Sequence, residues 1–458
     1  MKERQLLKEC LAVLTLMTLT ALFTGCGGGE GSGSAPAPPV AANWGTAVLI
    51  ESGSADDAQY PQIAIDSTGN AIAVWQQFDG SRYKIQANRY VLNVGWGTPV
   101  TIDTGGTGSA GTPQIAMDPA GNAIAVWLQW NGNRFGIFAN RYTAGGSWGT
   151  AVAIDTGSSG ASANPDIAMA PNGNAIAVWE QYDGTLNRDS IRANRYTVSG
   201  NAWGTAATID SGGTGNTGPS SNPRVAMDSN GNAIAVWEQA AGLRSNIRAN
   251  LFTGSWGTAA LIETDDTGNA YLPQVAMDSN GNAIAVWEQS NGSRFSIYAN
   301  RYTAGGNWGT AEAIDSGGSG STGDSGNAQI AMASDGTATA VWEQYDGSLI
   351  NIRANRFAAG WAVAQLIETS SDGDAQLPQV AMDSNGNAIA VWQQFDGSQI
   401  SILANRYTGA WGTAGLIESN STRSAEMAQV AMNANGKAVA VWEQYNGSVT
   451  NIWANRYN

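Results

Sequence analysis

The sequence predicts an all-β fold: an eight-bladed β-propeller of four-stranded antiparallel blades, its ring closed by the N-terminal strand joining the last blade. Three observations predict it. A Val-Trp pair recurs eight times, ending at Trp75, Trp127, Trp179, Trp237, Trp287, Trp342, Trp392 and Trp442, with spacings of 52, 52, 58, 50, 55, 50 and 50. Repeats near this period with strand patterning mark propeller blades rather than helical solenoids. Composition agrees: 58 of 458 residues are Gly, 18 are Trp and only 13% are charged, which excludes a coiled coil, a helical bundle and a charged disordered chain. The repeat also starts and stops out of phase. It opens on a lone fourth-strand segment, Trp44 to Ile50, and ends on a lone third strand, Ile452 to Tyr457. Pairing those two pieces completes the last blade and seals the ring.

In chain order, Lys2, Arg4 and Lys8 precede an apolar run from Leu11 to Phe23 and then Thr24-Gly25-Cys26. A basic start, a short apolar stretch and small residues describe a secretory signal over residues 1–25. Its end resembles a bacterial lipobox, with Phe23 where that motif prefers Leu. The resemblance implies lipidation of Cys26 as the mature N-terminus. Gly27 rather than Asp follows, which in lipoproteins implies sorting to the outer membrane. Removal of Cys10 with the signal leaves one cysteine and no intramolecular disulfide. Residues 26–42 are the lipidated Cys and a Gly/Ser/Pro-rich linker. Residues 43–458 are the propeller.

One unit shows why each strand forms. Pro61 to Asp66 is a short strand, and Ser67-Thr68-Gly69-Asn70 a tight turn in which Gly supplies positive φ. Ala71 to Gln77 is the second strand, with Ala, Ala and Trp on one face and Ile and Val on the other. Phe78-Asp79-Gly80 turns it into a third, Ile85 to Tyr90, and Trp96 to Ile102 is the fourth. A sheet apolar on both faces is buried only by stacking between like sheets. The eight Val-Trp and the eight Trp-Gly or Trp-Ala tryptophans are therefore expected in the core between blades.

The order Pro-x-Ile-Ala-x-Asp, Gly-Asn-x-x-x-Val-Trp, Ile-x-Ala-Asn-Arg-Tyr, Gly turn, Trp resembles the blades of sialidase-like propellers over nearly all of 43–458. Such propellers often carry an Asp-box between third and fourth strands. Here the matching turns are Tyr142 to Trp148 and Tyr302 to Trp308, without an acidic residue, so the box is degenerate. A sialidase site would need three convergent arginines, a Tyr–Glu pair and an Asp acid. The obvious arginines (Arg89, Arg141, Arg195, Arg301, Arg356, Arg406, Arg456) instead recur at one repeat position, with Leu251 in the fourth unit. Their expected role is pairing with acids or carbonyls within a blade.

The absence of His removes His-based acid–base chemistry and the commonest zinc and haem ligation. A formal charge of −15 disfavours nucleic acid. Candidate ligand contacts lie in the turns between second and third strands. There Phe78, Trp130, Tyr182, Tyr345, Phe395 and Tyr445 stand between a recurrent Gln and an Asp/Asn-Gly, with Glu180, Glu343 and Glu443 just before the Gln. Exposed rings, amides and carboxylates together suit sugars; the competing reading is turn and edge structure, since Asp/Asn-Gly is a hairpin requirement. Fourth strands end on Glu51, Asp103, Asp155, Asp210, Glu263, Asp315, Glu368 and Glu418, with Asp56-Asp57, Asp265-Asp266, Asp372 and Asp374 in the following loops. Oxygen-rich loops could hold Ca²⁺, but no EF-hand spacing occurs, and Asp278 to Asn282 reads as a hairpin. No cofactor and no catalytic residue is expected. The chain reads as a monomeric, exported, lipid-anchored binding module whose ligand is a glycan or a surface protein. The alternatives are a multivalent lectin and a divergent sialidase-like glycoside hydrolase.

Overall fold

The computed structural model describes residues 43–51, 56–106, 108–156, 160–211, 218–264, 268–316, 323–369, 373–418 and 423–457. The signal peptide, Cys26, the linker, Asp265, Asp266 and Asp372 lie outside the described residues. Eight antiparallel sheets each follow the order of the chain, strand beside strand. Blade 1 runs Ala58–Ile65, Ala71–Phe78, Tyr83–Val91 and then Gly95–Trp96 with Val100–Thr101. Blades 2 to 7 begin at Ala110, Ser162, Ser220, Ala270, Ser325 and Ala375. Blade 8 is Ala425–Met432, Ala438–Tyr445 and Thr450–Tyr457, completed by Val48–Leu49. Val48 pairs with Ala454 and Leu49 with Trp453, and a bridge joins Trp44 to Tyr457, so the termini close the ring as expected. First strands of successive blades adjoin, blade 8 against blade 1, and so surround the central axis.

The second-strand alternation sets the core. All eight Val-Trp indoles are fully buried. Each packs on the Ile/Val face of the preceding blade: Trp75 against Val439, Val441 and Ile452, and Trp442 against Ile389, Val391 and Ile402. Burying a large apolar side chain contributes about 3 kcal/mol. In six blades the indole N–H donates to the Gln two residues on, as Trp75 does to Gln77 at 2.9 Å. The second tryptophan set departs from expectation. Trp44, Trp96, Trp148 and their equivalents are only half-buried at the rim, edge-on to a Tyr or Phe of the same blade (Trp44–Tyr457, 5.8 Å). Short fourth strands leave one side of those indoles uncovered.

Two further details differ from the sequence reading. The fourth strand is not continuous. In blade 1 it pairs at Trp96 and again at Val100–Thr101, and between them Asn88 Nδ2 donates to Gly97 O (3.0 Å) and to Ile50 O of blade 8 (2.7 Å). The same Asn makes the same two bonds in all eight blades, for example Asn405 to Ile367 O (2.7 Å) and Gly412 O (3.0 Å). First strands begin three residues before Pro61, through a bulge whose central residue is left-handed: Tyr60, Thr112, Asn164, Asn222, Leu272, Asn327, Leu377 and Met427 have φ between 47° and 56°. Non-Gly residues there are strained and need external support.

The recurrent arginines are the fourth correction. They lie over aromatic rings of the next blade, where pairing within the blade was expected; Arg356 also interacts with Asp335 of its own blade. Arg356 lies 3.9 Å from the Tyr407 centroid, and Arg456 lies 4.2 Å from that of Tyr90, carrying the contact across the closure. Five more repeat it. In blade 4, Leu251 instead packs into the apolar cluster of Tyr302 and Trp308. Cation–π contacts of this kind contribute about 0.5–2 kcal/mol each.

Candidate functional site

The turns between second and third strands share one face of the ring with the loops from fourth to first strands, as antiparallel order requires. Each turn is rigid. Asp346 Oδ1 accepts the N–H groups of Ser348 (2.9 Å) and Leu349 (3.0 Å), and Asn446 does the same for Ser448 (2.9 Å) and Val449 (3.1 Å). The Leu349 N–H and the Ser348 hydroxyl hold the Asp346 carboxyl well below the usual carboxylate range. Gly347 takes φ 104°, open only to Gly at low cost. The Asp or Asn of the turn is therefore structural. So is Asp278, whose Oδ1 accepts Asn280 N (2.8 Å) and Asn282 N (2.9 Å) in the hairpin read from the sequence.

The six turn aromatics fall into two groups. Phe78 and Trp130 are half-buried, because their cross-strand partners are also rings: Tyr83 at 5.3 Å and Phe135 at 5.3 Å. Tyr182, Tyr345, Phe395 and Tyr445 are 39, 43, 41 and 43% exposed. Opposite them stand Asp189, Ile350, Ile400 and Thr450, too small or too polar to cover a ring.

The Gln and Glu of the same motif point inward instead of forming a surface. Gln77 Nε2 donates to Asp56 O (3.1 Å) and Gln181 Nε2 to Gly160 O (3.1 Å), anchoring the adjoining loop. The Glu side chains support the strained bulges of the following blade. Glu443 Oε1 accepts Tyr60 N (2.7 Å), Glu180 accepts Asn222 N (2.6 Å), Glu238 accepts Leu272 N (2.7 Å), and Glu343 accepts Leu377 N (2.7 Å). Gln76 and Gln393 accept the same bond in blades 1 and 7, at 3.2 and 3.1 Å. Burial raises these carboxyls: Glu443 to about 8, and Glu180, Glu288 and Glu343 to about 7, despite the opposing N–H donors.

The acids ending the fourth strands are buried too. Asp103, Asp155, Asp210 and Asp315 form ion pairs with Arg82 (3.0 Å), Arg134 (2.5 Å), Arg188 (2.8 Å) and Arg294 (3.1 Å) from the turn of the same blade. In blades 6, 7 and 8 that Arg is Leu349, Gln399 and Val449, and the acid is Glu368, Glu418 and Glu51. Burial lifts Glu368 to about 8 and Glu418 to about 7. Among the described residues no group of three or more acids or cysteines is arranged to hold a metal ion.

Sequence reasoning missed two features. At the position after Pro61, six blades carry Gln, whereas adjacent blades 3 and 4 carry Asp166 and Arg224. Burial raises the Asp166 carboxyl while Arg224 and Val225 N (2.8 Å) oppose it. Asn222 links this locus to both Glu180 and Glu238, whose Oε1 accepts Asn222 Nδ2 at 2.8 Å. A column-by-column comparison of the repeats would have found it. The rim also holds grooves between blades, of about 710 Å³ between Trp96 and Trp148 and about 820 Å³ between Trp148 and Trp203.

No family model and no curated protein sequence matches the chain. Solved structures similar to it include a protein of unknown function from Dyadobacter fermentans (10% identity, 91% of this chain and 99% of that one, TM-score 0.44). A leech intramolecular trans-sialidase matches at 11% identity over 88% of this chain and 91% of its own, TM-score 0.41. The β-propeller domain of the Trilobed protease from Pyrococcus furiosus matches at 8% identity over 80% and 96%, TM-score 0.46. Likeness at this level assigns no activity. The sheets themselves define the chain as an eight-bladed β-propeller.

Proposed function

We infer that the chain is a non-catalytic binding module, exported and anchored to the outer membrane through a lipid on Cys26, whose turn face takes carbohydrate at several blades. The observation that supports this reading most is the division of labour within the turn motif. Its carboxylates and amides are engaged in holding the neighbouring blade or loop, while the rings of Tyr182, Tyr345, Phe395 and Tyr445 are 39–43% exposed on hydrogen-bonded turns, with the hydroxyls of Tyr182 and Tyr345 bonded to Asn187 and Gly347 O. Rings presented this way stack on the C–H faces of sugars. Repetition around one ring multiplies weak single-site affinity. Probing a glycan array with the full chain in detergent tests the reading: retention that grows with glycan density fits, and silence across the array discards it. Tyr182→Ala and Tyr345→Ala should each weaken retention without lowering the melting temperature. A fall in melting temperature for both would return the rings to a structural role.

One observation favours a second, hydrolytic reading: the Asp166, Arg224, Glu180 and Glu238 locus, where, alone among the described residues, adjacent blades break the inner-strand repeat with opposite charges. Glu180, raised to about 7, is the group that would donate a proton there. Product release from glycosides, abolished by Glu180→Gln, would support that reading over the first.

A further inference from the structure

The turn face is not eightfold. Two independent features separate blades 6, 7 and 8 from the rest. Their turn aromatics, Tyr345, Phe395 and Tyr445, are the only exposed ones on consecutive blades among the described residues; Tyr182 is isolated between the covered Trp130 and Ala240. Their cross-strand partners are aliphatic or small, so no ring covers them. Their turns also lack the arginine that, in blades 1, 2, 3 and 5, ties the turn to the fourth-strand acid.

Chance loss of one pairing would scatter these features. Their coincidence on three adjacent wedges marks a single surface. We propose that blades 6–8 form one arc in which Tyr345, Phe395 and Tyr445 are successive stacking platforms for one extended, uncharged polysaccharide chain. This rests on the carbohydrate-binding reading above and locates it. Neighbouring sheets lie about 10 Å apart, so one oligosaccharide of several rings reaches from platform to platform. An uncharged ligand follows from the charges present. The turns carry the carboxylates of Asp346 and Asp396, and in blade 8 a guanidinium, that of Arg423, beside Gly447. Among the described residues no cluster of cations lies at those turns, and the protein as a whole carries −15.

The fold tolerates loss of the ring, since blades 4 and 5 carry Ala240 and Ser290 at the same position. Affinity electrophoresis of the full chain in detergent, through gels containing mannan, xylan, arabinan, β-glucan or polygalacturonate, tests the arc. Wild type should be retarded by at least one neutral polymer and not by polygalacturonate. The triple variant Tyr345→Ala, Phe395→Ala, Tyr445→Ala should lose apparent affinity by about 100-fold, the scale of lost multivalency. The double variant Phe78→Ala, Trp130→Ala should lose less than about threefold, and Tyr345→Phe with Tyr445→Phe should bind as wild type. Circular dichroism and melting curves verify folding of each, and a misfolded triple is replaced by the three single Ser variants. Equal losses in the Ala triple and in the Phe78/Trp130 double, or retention of affinity by the triple, overturn the arc and leave the binding reading intact. Retardation by polygalacturonate alone overturns the uncharged ligand. If wild type binds none of the polymers, the carbohydrate reading falls and the arc with it.

Discussion

Glu443 offers the sharpest test of how the ring is held together. Its carboxyl is buried between blades, accepts Tyr60 N at 2.7 Å, and titrates near 8 instead of 4.5 because burial disfavours the charged form. Below pH 4.5 the carboxyl is protonated in folded and unfolded chains alike, and the site contributes its full stability. Between pH 4.5 and 8 the unfolded chain ionises while the folded carboxyl stays protonated, so that stability is progressively lost and is gone above about 8, where the folded chain holds a buried charge. At about 1.36 kcal/mol per pH unit, the span from 4.5 to about 8 bounds the loss at about 5 kcal/mol. Side-chain relaxation and water entry keep the loss below that bound, at several kcal/mol at most. Glu443→Gln keeps an Oε1 acceptor for Tyr60, as Gln76 and Gln393 do for the equivalent bulges, and removes the charge. Urea unfolding should therefore show no change at pH 4.5 and a clear gain, of up to about 5 kcal/mol, at pH 8.5. Glu180, Glu288 and Glu343 share the environment, so wild type itself should be more stable at pH 5 than at pH 8.5. A variant that loses stability equally at both pH values would refute the reasoning, because the carboxylate would then be acting as a charge-assisted acceptor for the strained bulge.

Other perturbations probe the remaining links between blades. Asn405→Ala leaves the carbonyls of Ile367 and Gly412 without their donor and should cost about 1–3 kcal/mol in urea unfolding; an unchanged midpoint would mean that water replaces the amide. Deleting residues 43–50 removes the strand paired with Ala454 and Trp453, and thermal melting should shift downward with new proteolysis within blade 8. Identical melting would show that closure by the first strand adds nothing. Arg301→Leu, copying Leu251, should lose under about 1 kcal/mol, whereas Arg301→Asp, which removes the cation beside Phe357 and places a carboxylate there, should lose more; equal losses would assign the contact to packing alone.

The ring, its eight wedges and its closure were legible because they follow from period, alternation and phase. A blade apolar on both faces has nowhere to go but between two others, and Trp44 to Ile50 has only one vacant edge to complete. The candidate site was half legible. Asp-Gly and Asn-Gly announce the turns, and the rings within them are plain to see. Their exposure is not, since it depends on the residue that register places opposite. Tyr83 covers Phe78, while Ile400 leaves Phe395 bare. The destinations of Asn88, Glu443 and Arg456 were also hidden. Each bonds or stacks across a blade junction, onto Ile50, Tyr60 and Tyr90 respectively, at sequence separations that no local pattern reports. Local chemistry thus determined what each wedge is, because strands and turns are set by neighbours in the chain. Only the closed ring decided which polar groups are committed to the next wedge and which faces meet solvent, because both depend on atoms brought together by stacking.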